Sequence, residues 1–204
     1  MPKVTQINVQ TSNKKRCNVF LDGNFFAGVS LETIVKNRIK VGTEVNEQDL
    51  ARIIFESDKV EALSIATDYV LKALKTKKQV KDYLLKKGYS EEIAWYCVDK
   101  LKEYDYINDC EYSKRYIEST AKNQGKRLLE YKLMMKGVKK EDIEIAYADS
   151  EVDSKNNAKL VAEKYLKNKD LTKENIAKAY RYLIGKGFSY EDASFALKSF
   201  DKDD

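Results

Sequence analysis

The first part of the chain has a hydrophobic pattern typical of strands. The segment 7–9 alternates apolar and polar residues, as expected for a strand with one buried face. Segments 16–21 and 25–29 are rich in aromatic and β-branched residues. Between them, Asp22 and Gly23 suit the positive φ angles of a type I′ turn. This pattern predicts a β-hairpin inside a small β-rich N-terminal unit.

The strand pattern gives way to a helical one. Ser30 is placed to cap a short helix over 31–37, and Asn46 is placed to cap a second helix over 47–56. From about residue 60 onwards, apolar residues recur at intervals of three and four positions, which predicts helices to the end of the chain.

A motif recurs three times in the helical part. Each copy has a Leu, two residues, Lys-Gly and then an apolar residue, and the glycines lie about 50 residues apart. This motif is typical of the C-terminal end of a helix. Lys suits the negative end of the helix dipole, and Gly tolerates the left-handed conformation that closes the helix. The copies are Leu84/Lys87/Gly88/Tyr89, Leu133/Lys136/Gly137/Val138 and Leu183/Lys186/Gly187/Phe188.

Each period is long enough for three helices. The sequence therefore predicts a mainly α fold of three tandem three-helix repeats that form an elongated solenoid, with a small β-hairpin-containing unit at the N-terminus. The predicted boundaries are 1–59 for the N-terminal β-rich extension, then 60–107, 108–152 and 153–204 for repeats 1, 2 and 3.

Composition argues against several classes of protein. Among 204 residues there is no His, which excludes a Ser-His-Asp triad and His zinc ligands. The three cysteines are odd in number and far apart, so we expect a reducing compartment and no disulfide framework. We find neither a signal peptide nor an apolar stretch of membrane-spanning length. The expectation is a soluble cytoplasmic protein with no cofactor and no metal.

The net charge of +5 is modest, but the basic residues are clustered. One cluster covers 72–87 and another covers 122–140, at equivalent places in two repeats. A highly charged solvated surface explains either cluster alone. Two clusters in register favour a surface for a polyanion or an acidic protein groove. The candidate partner-binding residues are Lys75, Lys77, Lys78, Lys81, Lys114, Arg115, Lys126, Arg127 and Lys132.

Two further groups of residues have simpler explanations. Tyr104, Tyr106, Tyr112 and Tyr116 lie near basic residues and could stack on bases, but core packing is the more common role of such rings. The acidic residues around Asp109 could bind a metal, but we favour Asp109 as a helix cap. No phosphate-binding glycine loop is present, and we predict no catalytic site.

The middle of the chain carries three motifs in a fixed order. They read YINDCEYSKRYIES at 106–119, GKRL at 125–128 and LMMKGV at 133–138. Together they resemble the central signature of the RecX regulatory proteins, which modulate the bacterial RecA recombinase. Ser113 stands where that family usually has Ala. The N-terminal RCNVFLDGNFFAGVS resembles the extension of longer, Gram-positive-type members, so the resemblance covers essentially the whole chain.

This resemblance implies a non-enzymatic regulator active in DNA repair, recombination and the SOS response. Members of the family dock along the groove of the RecA–DNA filament and restrain its ATPase, coprotease and strand-exchange activities. The expected partner is the RecA filament, with single- or double-stranded DNA as a further ligand, and the expected state is a monomer. A direct DNA-binding protein built from helix-turn-helix-like repeats is the alternative. A helical adaptor without a nucleic-acid role is a third possibility.

Overall fold

The structure is a computed structural model that describes residues 1–11 and 13–200. These residues form three strands and ten helices. The chain divides into two compact units, Met1–Ile107 and Asn108–Asp204, which we call unit 1 and unit 2. The predicted mainly α class, with a small β structure at the N-terminus, is confirmed.

The three strands of unit 1 form one antiparallel sheet in the order β1-β2-β3. They span Val4–Val9, Arg16–Leu21 and Asn24–Ser30. Asp22 and Gly23 link β2 to β3 with φ angles of 47° and 84°, as the type I′ prediction requires. The predicted hairpin is therefore confirmed, and β1 pairs with the other side of β2.

The sheet packs on two helices that follow it. Helix α1 (Leu31–Lys36) begins after Ser30, whose side chain accepts a hydrogen bond from the backbone of Thr33. Helix α2 (Glu47–Lys72) begins after Asn46, whose side chain caps it in the same way. Both predicted caps are confirmed. Apolar side chains from the sheet and from both helices form the first core, which includes Val4, Cys17, Val19, Leu21, Val29, Ile34, Leu50 and Ile54.

Helix α2 is longer than expected. The sequence predicted one helix over 47–56 and another beginning near residue 60, but Glu47–Lys72 is a single helix of 26 residues. No glycine or proline interrupts this segment, so nothing in the backbone ends the helix between the two predicted pieces. The predicted boundary after residue 59 falls inside this helix, and the four-part division of the chain stays a prediction.

The remaining helices follow in groups. Helices α3 and α4 complete unit 1 with α2, while unit 2 contains α5 to α7 and α8 to α10. Their bounds are Lys77–Lys86 (α3), Glu91–Glu103 (α4), Asp109–Thr120 (α5), Lys126–Met135 (α6), Lys140–Ala148 (α7), Ser154–Leu166 (α8), Lys173–Gly185 (α9) and Tyr190–Leu197 (α10).

Helices α3, α6 and α9 end in the same turn, which we call the glycine turn. Gly88, Gly137 and Gly187 have φ angles of 92°, 84° and 88°. In each turn the residue after the glycine donates its backbone N–H to the carbonyl of the motif leucine, at 3.1 to 3.2 Å. The glycine donates to the next carbonyl along the helix. This pair of bonds is the Schellman motif, and it confirms the predicted helix endings.

The glycine turn also brings apolar side chains into the core. The leucines Leu84, Leu133 and Leu183 are fully buried. The apolar residue after each glycine is buried as well, because the left-handed turn folds the chain back over the helix it has just ended. Both apolar positions of the motif therefore belong to the core.

A buried arginine joins the sheet of unit 1 to its helices. The guanidinium of Arg16 donates two hydrogen bonds to the carboxylate of Asp58 on α2, at 2.9 and 2.6 Å, and a third to the carbonyl oxygen of Gly28 at 2.7 Å. It lies 4.4 Å from the ring centre of Tyr89, in the first glycine turn. Burial opposes the charge on Arg16, but the hydrogen bond and ion pair with Asp58 outweigh burial and raise its pKa.

We predict that Asp58→Ala destabilises unit 1 by about 3 kcal/mol, the lower end of the cost of breaking a buried ion pair, because the buried Arg16 charge keeps only the longer ion pair with Glu61 at 3.4 Å. Chemical denaturation followed by circular dichroism measures the change. The control is Asp82→Ala, which breaks an exposed ion pair with Lys78 and should cost under about 1 kcal/mol. Equal losses in the two variants would contradict the prediction.

Candidate functional site

The candidate lysines of unit 1 lie on or beside α3, and several already have partners. Lys78 forms an ion pair with Asp82 at 3.0 Å, one turn further along the helix. Lys81 forms an ion pair with Glu91, and its ammonium lies 4.7 Å from the ring centre of Trp95. The cluster seen in the sequence is therefore partly neutralised in the fold.

Lys75 has a different environment. It lies just before α3, and its ammonium is 4.9 Å from the ring centre of Tyr69 on α2. Lys77 lies at the start of α3 and is half-buried. Thr76 and Gln79 form a capping box that fixes this end of the helix.

The candidates on α5 lie among acidic side chains. Arg115 forms an ion pair with Glu111 at 2.7 Å. Lys114 is half-buried and lines a surface cavity whose other residues include Glu118, Glu151 and Asp153. These two basic residues are less suited to a polyanion than the sequence suggested, because nearby carboxylates offset their charge.

The remaining three candidates belong to α6. Lys126 lies 3.8 Å from Glu130 and 4.9 Å from the ring centre of Tyr147. Lys132 donates a hydrogen bond to the side chain of Gln124 at 2.8 Å. Arg127 is exposed, and its side chain forms no ion pair within the described part of the chain. The nine candidates therefore form separate groups on the two units.

Helix α6 presents an exposed face that the sequence reasoning missed. Arg127, Tyr131 and Met134 are spaced four and three residues apart, which places them on one side of the helix, with Met135 at its edge. The exposed fractions of Tyr131, Met134 and Met135 are 60%, 54% and 63%. The helical spacing in the sequence could have predicted this face. Leu129 and Leu133 define the buried side of α6, and the exposed residues lie on the other side. We call Arg127, Tyr131, Met134 and Met135 the α6 face.

The start of α6 is held by the third glycine turn. The backbone N–H groups of Gly125 and Arg127 donate to the carbonyl oxygens of Lys186 and Gly187, at 3.0 and 3.1 Å. Gly125 caps α6 without any side-chain hydrogen bond, so carbonyls from the end of α9 take the place of a capping side chain. A Cβ atom on Gly125 would lie 2.2 Å from the backbone nitrogen of Phe188, which leaves room only for glycine.

The tyrosines singled out in the sequence have mixed environments. Tyr104 and Tyr106 are exposed in unit 1. In unit 2, Tyr112 and Tyr116 stack with ring centres 6.3 Å apart and pack against the core around Ile117. The core explanation therefore describes the second pair but not the first.

Asp109 and Cys97 both have structural roles. Asp109 is not the helix cap that we expected. Asn108 is the N-cap, since it precedes the first helical residue and its side chain accepts from the backbone N–H groups of Cys110 and Glu111. Asp109 is itself the first helical residue and is buried. Cys97 on α4 is fully buried, and burial raises the pKa of its thiol to about 11.

Residues 1–11 and 13–200 hold no group of three or more cysteine and acidic side chains able to bind a metal ion. No helix within these ranges combines the length and the apolar character needed to span a bilayer.

Comparison with known proteins identifies the family. Three family models match the chain: the regulatory protein RecX N-terminal domain over residues 2–46, the first three-helix domain of RecX over 62–101, and the third over 153–197. A protein named regulatory protein RecX from Clostridium botulinum (strain Eklund 17B / Type B) is 36% identical over 94% of this chain and 92% of its own length. The chain belongs to the RecX family.

Further relatives agree over nearly the whole length. The regulatory protein RecX of Clostridium beijerinckii is 34% identical over 97% of this chain and 95% of its own. A crystal structure titled regulatory protein RecX has a TM-score of 0.65, with 24% identity over 95% of this chain and 98% of its own, which supports the fold. The resemblance stated from the sequence is confirmed.

The Gly-Lys-Arg motif at residues 125–127 of this RecX family member combines two different roles. Gly125 permits the close approach of α6 to α9, while the Arg127 side chain is exposed on the α6 face. A short motif in the sequence therefore joins a structural residue to a candidate contact residue.

We predict that Gly125→Ala destabilises unit 2 by about 3 kcal/mol, the upper end of the usual cost of overpacking, because its Cβ atom would meet backbone rather than a movable side chain. Arg127→Ala is the control and should change the free energy of unfolding by under about 0.5 kcal/mol, since the side chain is exposed. Thermal and chemical unfolding measure both. A Gly125→Ala protein as stable as the parent would show that α6 does not depend on this contact.

Proposed function

We propose that the chain is a non-enzymatic regulator that binds the RecA–DNA filament and restrains its ATPase, coprotease and strand-exchange activities. The observation that carries the proposal is membership of the RecX family, whose members here are named regulatory proteins. In this proposal the protein acts in the cytoplasm, in DNA repair and the SOS response, as a monomer without a cofactor.

The α6 face is the surface we assign to the recombinase. Tyrosine, methionine and arginine are enriched in protein–protein interfaces, where aromatic and arginine side chains carry much of the binding energy. Methionine side chains adapt to an irregular partner surface. Three exposed apolar side chains beside Arg127 suit a protein partner better than a phosphate backbone, because phosphates offer apolar groups nothing to bury against.

The equivalent positions of the other repeats differ from the α6 face. Alignment on the motif leucines places Asp82 and Arg181 opposite Tyr131, and Leu85 and Ile184 opposite Met134. The combination of an exposed aromatic ring with two methionines belongs to the middle repeat. This difference supports a partner contact that is specific to the middle repeat and is not a feature shared by all three repeats.

The alternative is a protein that acts by occupying DNA. The observation that favours it concerns lysines that flank α3 and α9. Lys75, Lys87, Lys169 and Lys186 form no ion pair within residues 1–11 and 13–200. The two functions predict different results with preassembled filaments. A filament regulator should slow ATP hydrolysis by RecA filaments already formed on single-stranded DNA, even when excess free DNA is added. A DNA-occupying protein should lose its effect in that excess.

We predict that the double change Tyr131→Ala with Met134→Ala reduces inhibition of RecA ATPase by about tenfold or more, because it truncates the two central apolar side chains of the α6 face. The measurement is the concentration for half-maximal inhibition on preassembled filaments, together with co-sedimentation. Tyr190→Ala is the matched control, since Tyr190 is also an exposed tyrosine of unit 2, with 65% of its surface accessible. Equal inhibition by the double variant and the parent would remove the α6 face from the proposal.

A further inference from the structure

Two tyrosines stack against each other in unit 1, and a lysine lies over each ring. Tyr69 on α2 and Tyr83 on α3 are nearly parallel, with ring centres 4.0 Å apart and planes 10° apart. The Lys75 ammonium lies 4.9 Å from the centre of the Tyr69 ring, and the Lys87 ammonium lies 5.4 Å from that of Tyr83. We call this arrangement the first lysine–tyrosine cluster.

Unit 2 contains a similar arrangement between α8 and α9. Tyr165 on α8 and Tyr182 on α9 stack with ring centres 4.5 Å apart and planes 24° apart. The Lys169 ammonium lies 3.2 Å from the centre of the Tyr165 ring, and the Lys186 ammonium lies 5.2 Å from that of Tyr182. These four residues form the second lysine–tyrosine cluster. Tyr83 and Tyr182 both precede the motif leucine, and Lys87 and Lys186 are the motif lysines.

The lysines of both clusters lack carboxylate partners. Lys75, Lys87, Lys169 and Lys186 form no ion pair within the described part of the chain, and each lies over a neutral ring. Other lysines of the same helices do have such partners. Lys78 on α3 pairs with Asp82, and Lys178 on α9 pairs with Glu174 at 2.7 Å. The charge of each cluster is therefore available to an external anion.

The rings also hold the ammonium groups in position. A free lysine side chain loses conformational freedom when it binds a ligand, and this loss weakens binding. An ammonium already attracted to the face of a tyrosine ring has lost part of that freedom beforehand. Each cluster therefore presents two positive charges whose side chains are partly restrained before a ligand binds.

We propose that the two lysine–tyrosine clusters bind the phosphodiester backbone of a nucleic acid. Lysine binds phosphate as a point charge, and tyrosine hydroxyls are among the groups that contact phosphates. The ring faces are occupied by the stack and by lysine, which favours contact with the backbone over stacking on bases. The same pair of unpaired charges occurs on each unit, as suits a ligand that repeats one charge along its length.

The middle repeat is arranged differently. Its motif lysine, Lys136, lies 5.7 Å from the ring centre of Tyr116, but Tyr116 stacks on Tyr112 of the same helix, α5, and not on a tyrosine of α6. Lys132 stands where the other repeats have Tyr83 and Tyr182, and it binds Gln124. The proposal therefore concerns the first and third repeats, whereas the α6 face of the middle repeat is assigned to the protein partner. The clusters give the DNA-binding alternative of the proposed function a defined site, and binding to DNA through them does not require the recombinase.

The test measures binding of the full-length protein to a labelled oligothymidine and to a duplex of the same length, by fluorescence anisotropy at several salt concentrations. The test variant combines Lys87→Gln and Lys186→Gln. The matched control combines Lys78→Gln and Lys178→Gln, which removes the same charge from the same two helices. The variant Lys87→Arg with Lys186→Arg restores the charge and stacks well on aromatic rings.

We expect the test variant to lose about tenfold in affinity at low salt. The slope of log affinity against log salt should fall by about 1.4 for the single strand, since each lost phosphate contact contributes about 0.7. The matched control should change affinity by less than about threefold, and the arginine variant should restore binding. Comparison of the two DNA probes shows whether the backbone is bound as a single strand or as a duplex.

Three results would overturn the proposal. Equal losses in the test and control variants would show that only net charge matters. If the parent protein bound neither DNA probe, nucleic acid would not be the ligand of the clusters. Binding of polyglutamate with the same affinity and the same loss in the test variant would assign the clusters to an acidic protein. The DNA-binding assay contains no recombinase. A negative result in this assay therefore leaves the filament proposal unaffected, and a failure to inhibit RecA filaments leaves the DNA-binding result unaffected.

Discussion

The glycine turn is the local constraint on which most of the structure depends. It ends α3, α6 and α9 by the same pair of backbone hydrogen bonds, and it needs a residue that adopts positive φ without strain. The turn does more than end a helix. In unit 1 it places Tyr89 beside the buried Arg16, and in unit 2 it gives α6 the carbonyl groups that cap its start.

The same turn links the fold to the proposed nucleic-acid contact. Lys87 and Lys186 each lie one residue before the glycine and four residues after a tyrosine. On a helix this spacing brings two side chains together, so the residue that suits the helix dipole also lies over an aromatic ring. One short motif therefore serves stability and, in our proposal, binding.

The charges of the protein fall into two classes with different consequences. Arg16 is buried and bound to Asp58, so its charge contributes to the assembly of unit 1 and is hidden from any partner. The lysines of the lysine–tyrosine clusters contact rings and keep their charge exposed to anions. The α6 face differs from both, since its surface is largely apolar. In the combined proposal, a protein partner and a nucleic acid use different surfaces of one chain.

Much of the fold followed from local sequence. The hairpin at Asp22 and Gly23, the caps at Ser30 and Asn46, and the three glycine turns depend on interactions between residues a few positions apart. Such interactions are already specified by residue type and spacing, which is why they could be predicted. The continuous α2 was missed because its buried stripe contains a charged residue, Asp58, between Ile54 and Ala62. Asp58 is buried only because it binds Arg16, 42 residues earlier in the chain.

The candidate site was predicted less completely. The sequence by itself determined where the basic residues cluster, but charge counting cannot tell a lysine paired with a carboxylate, such as Lys78, from one held over a ring, such as Lys87.

Only the tertiary structure decided the long-range contacts: Arg16 with Asp58, Tyr69 with Tyr83, and Gly125 with Gly187. These residues lie on different elements, and their contacts depend on how strands and helices pack. The physical reason is that short-range hydrogen bonding fixes each helix and turn, whereas the packing of whole apolar faces decides which side chains of different elements meet.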